Sequence, residues 1–354
     1  MLLSPTPDLL DAKKQLKERY LRESTAAVVG RVYELGVSAA RQNASNNVHA
    51  IGIGRKTVAG KTESVEVIRV HVVQKLPQSL VPIADRIPSE IDGIPTDIVE
   101  SPVAFLRPSS LSLIRSHQTP NPYAIQRLRP LRAGLSTSHP LITAGTIGYF
   151  CRSVRPGDDP TATYLLSNNH VFANVNQATS DDAIFQPGVA DGGTNTDTVA
   201  TLERWMPIQL NSPVFNKVDA AIARLVPGVG FLPSLPFIGS VNGPAVASEE
   251  LLVCKFGRTS GYTEGYITDV AYDATVGMDH SDPTIFAKFE NQIRIEARLP
   301  RYAFFGLGGD SGSLVVSKTD KKAVGLYFAG PDSGIYGIAN PIEQVLSELE
   351  IELL

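Results

Sequence analysis

Apolar residues near the start of the chain recur at helical spacing through Leu9, Leu10, Leu16, Tyr20, Ala27, Val28, Val32 and Leu35. Such spacing is the stripe an amphipathic helix buries. Thr6-Pro7-Asp8 supplies its start: a capping hydroxyl, a proline in the first turn and an acid at the positive end. The spacing predicts one long helix to about Ala40, in a unit spanning 1–42. From Asn43 the period shortens to two. Residues 48–53 read as a strand, Val58-Ala59-Gly60-Lys61 as a turn, and Val65, Val67, Ile68, Val70, Val72 and Val73 as a second strand. A short helix within 77–87 and a strand within 91–99, after the Asp92-Gly93 turn, complete a small α+β domain over 43–101. Residues 102–139, rich in Pro, Ser and Arg, read as a linker or wrapping segment. From 140 to 354 short β runs alternate with Gly, Pro, Asn and Asp turns, and 341–349 reads as a closing helix. Many short strands with few helices predict an antiparallel sandwich or a pair of barrels.

Composition narrows the function. The chain has 354 residues, 43% of them hydrophobic, which is enough for a large core. A net charge of −4 and no long Lys/Arg run give no footprint for nucleic acid. No apolar stretch has the length of a membrane span, and the first residues lack the charged-then-apolar order of a signal peptide. A cytoplasmic, reduced compartment is therefore expected. Cys151 and Cys254 each sit in an apolar run and read as small buried hydrophobes. His49, His71, His117, His139 and His280 show no metal-ligand spacing, so no metal or cofactor is expected.

Three segments carry chemistry. In Gly306-Leu307-Gly308-Gly309-Asp310-Ser311-Gly312-Ser313 a glycine-rich turn precedes the strand Leu314-Val315-Val316. A serine hydroxyl attacks a carbonyl when it is held in such a bend beside a base, with backbone N–H groups aimed at the developing oxyanion. In Tyr164-Leu165-Leu166-Ser167-Asn168-Asn169-His170 an apolar strand ends in a polar turn, and the histidine follows. Asp219 directly precedes the apolar run from Ala220 to Leu225, where its carboxylate can accept a hydrogen bond from an imidazole and fix its tautomer.

His, Asp and Ser in that order, each at a strand edge, with the serine in Gly-Asp-Ser-Gly, resemble the trypsin-like serine peptidases of the chymotrypsin fold, in their leaderless bacterial form. The resemblance covers about 140–345 and implies a mainly β protein of two six-stranded barrels, preceded by the long helix and the α+β domain. It implies a serine endopeptidase acting through an acyl-enzyme on protein or peptide substrates. His170, Asp219 and Ser311 would form the triad, and the amides of Gly309 and Ser311 the oxyanion hole. Gly325-Leu326-Tyr327-Phe328-Ala329-Gly330 resembles the strand that pairs with bound peptide, which makes Phe328, Ala329 and Gly330 substrate-binding candidates. Phe305, six residues before the nucleophile, would stand in the specificity pocket and favour small or apolar side chains. Further landmarks are Lys255-Phe256-Gly257-Arg258-Thr259-Ser260-Gly261, Gln186-Pro187-Gly188 and Asp191-Gly192-Gly193. There are departures: Asn169 replaces the usual Ala, and the cysteine pair around the histidine is absent. In secreted animal members the acid beside the nucleophile pairs with a freed N-terminus; here Asp310 has to find another partner. The alternative is a latent scaffold of this fold acting in assembly, with homo-oligomers formed through the N-terminal region.

Overall fold

The computed structural model of the chain describes residues 5–21, 47–58, 61–106, 119–279, 282 and 284–354. An N-terminal layer comes first. Helix α1 (Pro7–Leu16) is capped by Thr6, whose hydroxyl accepts from the Leu9 N–H at 3.4 Å, and it continues as a wider turn over Lys17–Leu21. The rest of the predicted helix, to Ala40, lies outside the described residues. Strands β1 (Val48–Val58) and β2 (Lys61–Val72) form a hairpin, and β3 (Glu90–Ile91) and β4 (Ile94–Glu100) follow, with β4 parallel to β2. In place of a short helix within 77–87 there are two single 3₁₀ turns, Gln78–Leu80 and Ile83–Asp85. Pro82, between them, has no N–H to continue the first turn. Leu9, Leu16, Tyr20 and Leu21 pack on Ile51, Ile53, Ile68 and Val70, so the helix buries its stripe on one face of the hairpin.

The two-residue strand β5 (Phe105–Leu106) leads towards a first barrel. Its strands are β6 (Leu131–Arg132), β7 (Ser136–Thr137), β8 (Gly145–Thr146), β9 (Tyr149–Ser153) and β10 (Tyr164–Ser167). The single turn α2 (Asn169–Phe172) separates these from β11 (Ala183–Phe185), β12 (Thr198–Trp205), β13 (Phe215–Asn216), β14 (Ala221–Leu225) and β15 (Phe231–Leu232). Strands β11, β12, β14, β10 and β9 are hydrogen-bonded in that order. β8 leads directly into β9 and pairs with β7, and Ser138 and Phe185 exchange backbone hydrogen bonds of 2.9 and 3.3 Å. That exchange closes a six-stave ring. The ring uses residues 136–138, inside the segment read from sequence as a linker.

The second barrel is built from β16 (Leu252–Gly257), β17 (Gly261–Gly277), β18 (Phe286–Ala297), β19 (Leu314–Ser317), β20 (Ala323–Gly330) and β21 (Tyr336–Pro341). The order β16-β17-β18-β21-β20-β19 returns to β16, so this ring is closed as well. Helix α3 (Ile342–Leu349) and β22 (Ile351–Leu353), paired with β9, end the chain. The fold is therefore mainly β, two six-stranded barrels with few helices.

Period-two alternation explains the layering. Phe150, Leu165, Ala221 and Ala223 fill the first barrel, while their neighbours Tyr149, Cys151, Tyr164, Leu166 and Ile222 face outward to the seam between barrels. Val253 and Val315 fill the second barrel, while Cys254, Phe256, Leu314 and Val316 meet the seam from that side. Both cysteines are free and buried in this seam.

The N-terminal hairpin shares a sheet with the second barrel: β1 pairs antiparallel with β17 from Ala50↔Ala274 to Gly54↔Asp269. Buried ions stitch the joint. Asp269 takes the Arg69 guanidinium at 2.8 Å and His71 Nε2 at 2.9 Å, while Lys13 of α1 donates to Asp273 at 2.8 Å. Burial pushes His71 down to about 4 and His49 beside it down to about 3, whereas Asp269, flanked by Arg69, stays ionised well below the usual carboxylate range despite its burial. An unfolded imidazole takes its proton near 6.5 and the folded ones resist, so their contribution is complete above pH 6.5 and falls as the pH drops towards 4. Burial has the opposite effect on nearby Glu249, raised to about 7, whose contribution falls as the pH rises from 4.5. Comparison with a variant isolates the histidine. The unfolding free energy of wild type minus that of His49→Gln should fall by roughly 1.4 kcal/mol per pH unit below 6.5. Chemical denaturation between pH 7.5 and 5 measures it, and a flat difference would remove the buried neutral imidazole from the account.

Candidate active site

Pairing of β10 with β14 brings His170 and Asp219 together. Ser167 lies opposite Ala221, so the chain leaving β10 into α2 passes the residues entering β14. His170 sits in that turn and Asp219 two residues before β14. Their side chains meet with Nδ1 to Oδ2 at 2.5 Å, and the other carboxylate oxygen accepts the His170 backbone N–H at 3.2 Å. The Asp219 main chain is clamped from both barrels. Asn168 and Asn340 donate to its carbonyl at 2.7 and 3.1 Å, and the Asn340 side-chain oxygen accepts its N–H at 3.0 Å. Asn169, the departure from the family pattern, donates to Met206 O and to Asn176 at 2.7 Å and so ties the turn to the loop behind it. A carboxylate on Nδ1 selects the tautomer whose Nε2 accepts a proton. That Nε2 is buried and has no hydrogen-bond partner among the described residues.

The Ser311 turn depends on two left-handed glycines, Gly309 at φ 94° and Gly312 at φ 92°. A side chain at 312 would strike the Ser167 hydroxyl and the Thr146 carbonyl, which shows how closely the nucleophile turn lies against the end of β10, three residues from His170. Thr146 holds the turn from the first barrel, its N–H donating to Ser311 O at 2.8 Å and its hydroxyl to Gly309 O at 2.9 Å. The backbone N–H groups of Gly309 and Ser311 donate to nothing among the described residues. The Ser311 hydroxyl makes a long 3.5 Å contact to Phe328 O and no hydrogen bond to His170. The predicted residues therefore fall into a bonded His170–Asp219 pair and a serine turn packed beside it.

Asp310 has the partner that a freed N-terminus would otherwise supply. Lys255 Nζ meets its Oδ2 at 3.0 Å, with both side chains fully buried. The Leu307 N–H reaches the same oxygen at 2.9 Å, and the Thr259 and Ser260 N–H groups reach Oδ1 at 2.8 and 3.0 Å. Burial alone would raise the Asp310 pKa; Lys255 and these donors hold it below the usual range. Sequence reading missed Lys255, although the signal was there. Lys255 shares a strand face with Val253, which points into the barrel, and a lysine so placed requires a buried acid. Two landmark motifs also meet: Arg258 donates through Nε to Asp191 at 2.9 Å and through Nη2 to its other oxygen, joining the barrels beside the serine turn.

The substrate-binding candidates divide differently. Phe305 was expected in the specificity pocket. Its ring is wholly buried inside the second barrel, edge-on to Tyr327 with the Lys255 ammonium 5.6 Å from its centroid, and so belongs to the barrel core. Phe328 is buried against Phe289. Ala329 and Gly330 lie on a strand edge paired with β5. Among the described residues no group of three or more His, Cys, Asp and Glu side chains gathers as for a metal ion, and no helix is long and apolar enough to cross a membrane.

No family model matches the chain, and neither does any curated protein. Among solved structures it is similar to Thermobifida fusca protease A, at 17% identity and a TM-score of 0.43 over 63% of this chain and 99% of that one. A serine protease described as glutamic acid specific aligns at 18% identity and TM-score 0.45, over 63% of this chain and 100% of its own. Nocardiopsis protease aligns at 16% and 0.43, over 63% and 99%. The three alignments are similarities at 16–18% identity with TM-scores below 0.5.

Proposed function

We propose that the chain is a serine endopeptidase that cleaves peptide bonds through an acyl-enzyme on Ser311. The observation that carries this reading is the buried His170, with Nδ1 held by Asp219 at 2.5 Å and Nε2 unpartnered among the described residues. The Ser311 hydroxyl rotates from Phe328 O to Nε2 and attacks the carbonyl carbon as its proton passes to His170. The carbonyl oxygen becomes negative against the N–H groups of Gly309 and Ser311. His170 then gives its proton to the leaving amine as the C–N bond breaks, and water releases the acyl group by the same route in reverse order. Asp219 orients the ring and stabilises the imidazolium. The absent Ser311–His170 hydrogen bond favours the latent-scaffold reading. Such bonds are commonly long until substrate binds, so it weighs little.

A fluorophosphonate probe should label wild-type Ser311, detected by peptide mass mapping, and leave Ser311→Ala unlabelled. His170→Ala should slow labelling by roughly 10⁴-fold or more and Asp219→Asn by about 10⁴-fold, with cooperative melting retained in both. Equal labelling of wild type and His170→Ala would contradict the mechanism. Lys255→Met leaves a buried unpaired carboxylate and should cost roughly 3–5 kcal/mol of stability, with labelling reduced because the turn loses its anchor. Lys255→Met combined with Asp310→Asn should recover part of that stability. Denaturant titration of the three chains checks the ordering.

A further inference from the structure

Strand β5 takes the backbone edge that an extended peptide would need in order to reach Ser311, and we infer that residues 103–106 are a built-in strap that closes the site to peptide substrates. The inference rests on Ser311 being the nucleophile. The register carries it. On one side of β20, β19 pairs through Leu314↔Leu326, and the ladder continues with Tyr327 N–H to Ser313 O and Gly312 N–H to Tyr327 O, both 2.9 Å. There the chain turns away at Ser311, whose hydroxyl touches Phe328 O, while β20 runs on to Gly330. Beyond Ser311 the opposite side of β20 belongs to β21, with Ala329↔Ile338. The edge on the nucleophile's side is filled by β5, with Ala329↔Leu106 and Gly330↔Phe105.

The polarity is that of the acyl half of a substrate. To deliver a carbonyl to Ser311 in this groove, a chain must approach with residue numbers rising towards the nucleophile. β5 does so: Phe105 lies opposite Gly330, and Leu106 opposite Ala329, one step nearer Phe328. An open sheet edge is a template for strand addition, and here the chain itself supplies the strand.

The strap is anchored along its length. Gly277 N–H donates to Ala104 O at 3.0 Å, the Tyr336 hydroxyl to Pro102 O at 2.5 Å, and Ser101 N–H to Val72 O at 3.0 Å. Val103 and Phe105 pack on Phe286, while Ala104 and Leu106 pack in a cluster with Ala50 and Phe328. At its root the Ser101 hydroxyl lies 3.2 Å from His49 Nε2 and 3.3 Å from His71 Nδ1. The N-terminal layer thus holds the strap on the second barrel. Ser311 is 1% exposed and His170 4%, in keeping with a covered site. An extended peptide that replaces β5 strand for strand, with apolar side chains in the places of Phe105 and Leu106, is the substrate this edge fits.

The test uses the full chain, a small fluorophosphonate and unfolded dye-labelled casein. Phe105→Ala and Leu106→Ala should raise casein kcat/KM about tenfold or more by making the competent edge available, with the labelling rate of Ser311 unchanged. An acetylated, amidated peptide of the sequence 102–106 should inhibit the variants and leave wild type untouched. If alanine prevents folding, Phe105→Leu should give a smaller rise in the same direction. Variants that melt cooperatively, label normally and cleave casein at the wild-type rate would overturn the strap while leaving the nucleophile in place. Absence of labelling in every chain would instead fail the nucleophile reading and take the strap's role with it.

Discussion

A lysine ammonium sealed inside a β-barrel has to meet a carboxylate, and in this chain that single demand shapes the candidate site. Lys255 draws Asp310 into the second barrel, and three backbone N–H groups complete the carboxylate's shell. The residue on either side of Asp310 is thereby fixed: Gly309 with its left-handed backbone, and Ser311 at the end of the β19 ladder. Two amide N–H groups that donate to nothing among the described residues then stand together with one hydroxyl. An ion pair of this kind adds little net stability, because desolvation offsets much of the attraction. What it adds is position.

The other half of the site depends on the seam. His170 and Asp219 both come from the first barrel, and Ser311 comes from the second. They meet because alternate residues of β9, β10 and β14 face Phe256, Leu314 and Val316 across a shared apolar layer. Asn340 of β21 reaches over that layer to the Asp219 main chain, and Thr146 reaches the other way to the Ser311 turn. Apolar packing brings the barrels together, and these few polar clamps set their register.

Much of this was legible in the chain itself. The alternation left a sandwich or a pair of barrels open, and the order His170, Asp219, Ser311, each at a strand edge, carried the resemblance that implied two barrels and a His–Asp pair. Other features depend on three-dimensional proximity that local pattern does not encode. Residues 136–138 look like linker because their strand is two residues long, yet they close the first ring. Phe305 aligns with a pocket position by counting back from the serine, but the turn carries its ring inward against Lys255. Residues 43–101 read as a small α+β domain, and the pairing of its first strand with β17 rests on residues far along the chain. Strand β5 gives almost no sequence signal, since its partners in β17 and β20 lie more than 170 positions away.

The proposed reading makes the chain a serine nucleophile and its cover folded from one sequence, with the N-terminal layer holding the cover in place. A crystal structure after reaction with a peptidyl phosphonate tests that account most directly. It should show phosphorus bonded to the Ser311 oxygen, a phosphonyl oxygen hydrogen-bonded to the Gly309 and Ser311 N–H groups, His170 Nε2 within reach of the Ser311 oxygen, and β5 displaced from β20. An unmodified Ser311 with His170 turned away from it after exhaustive treatment would contradict the account.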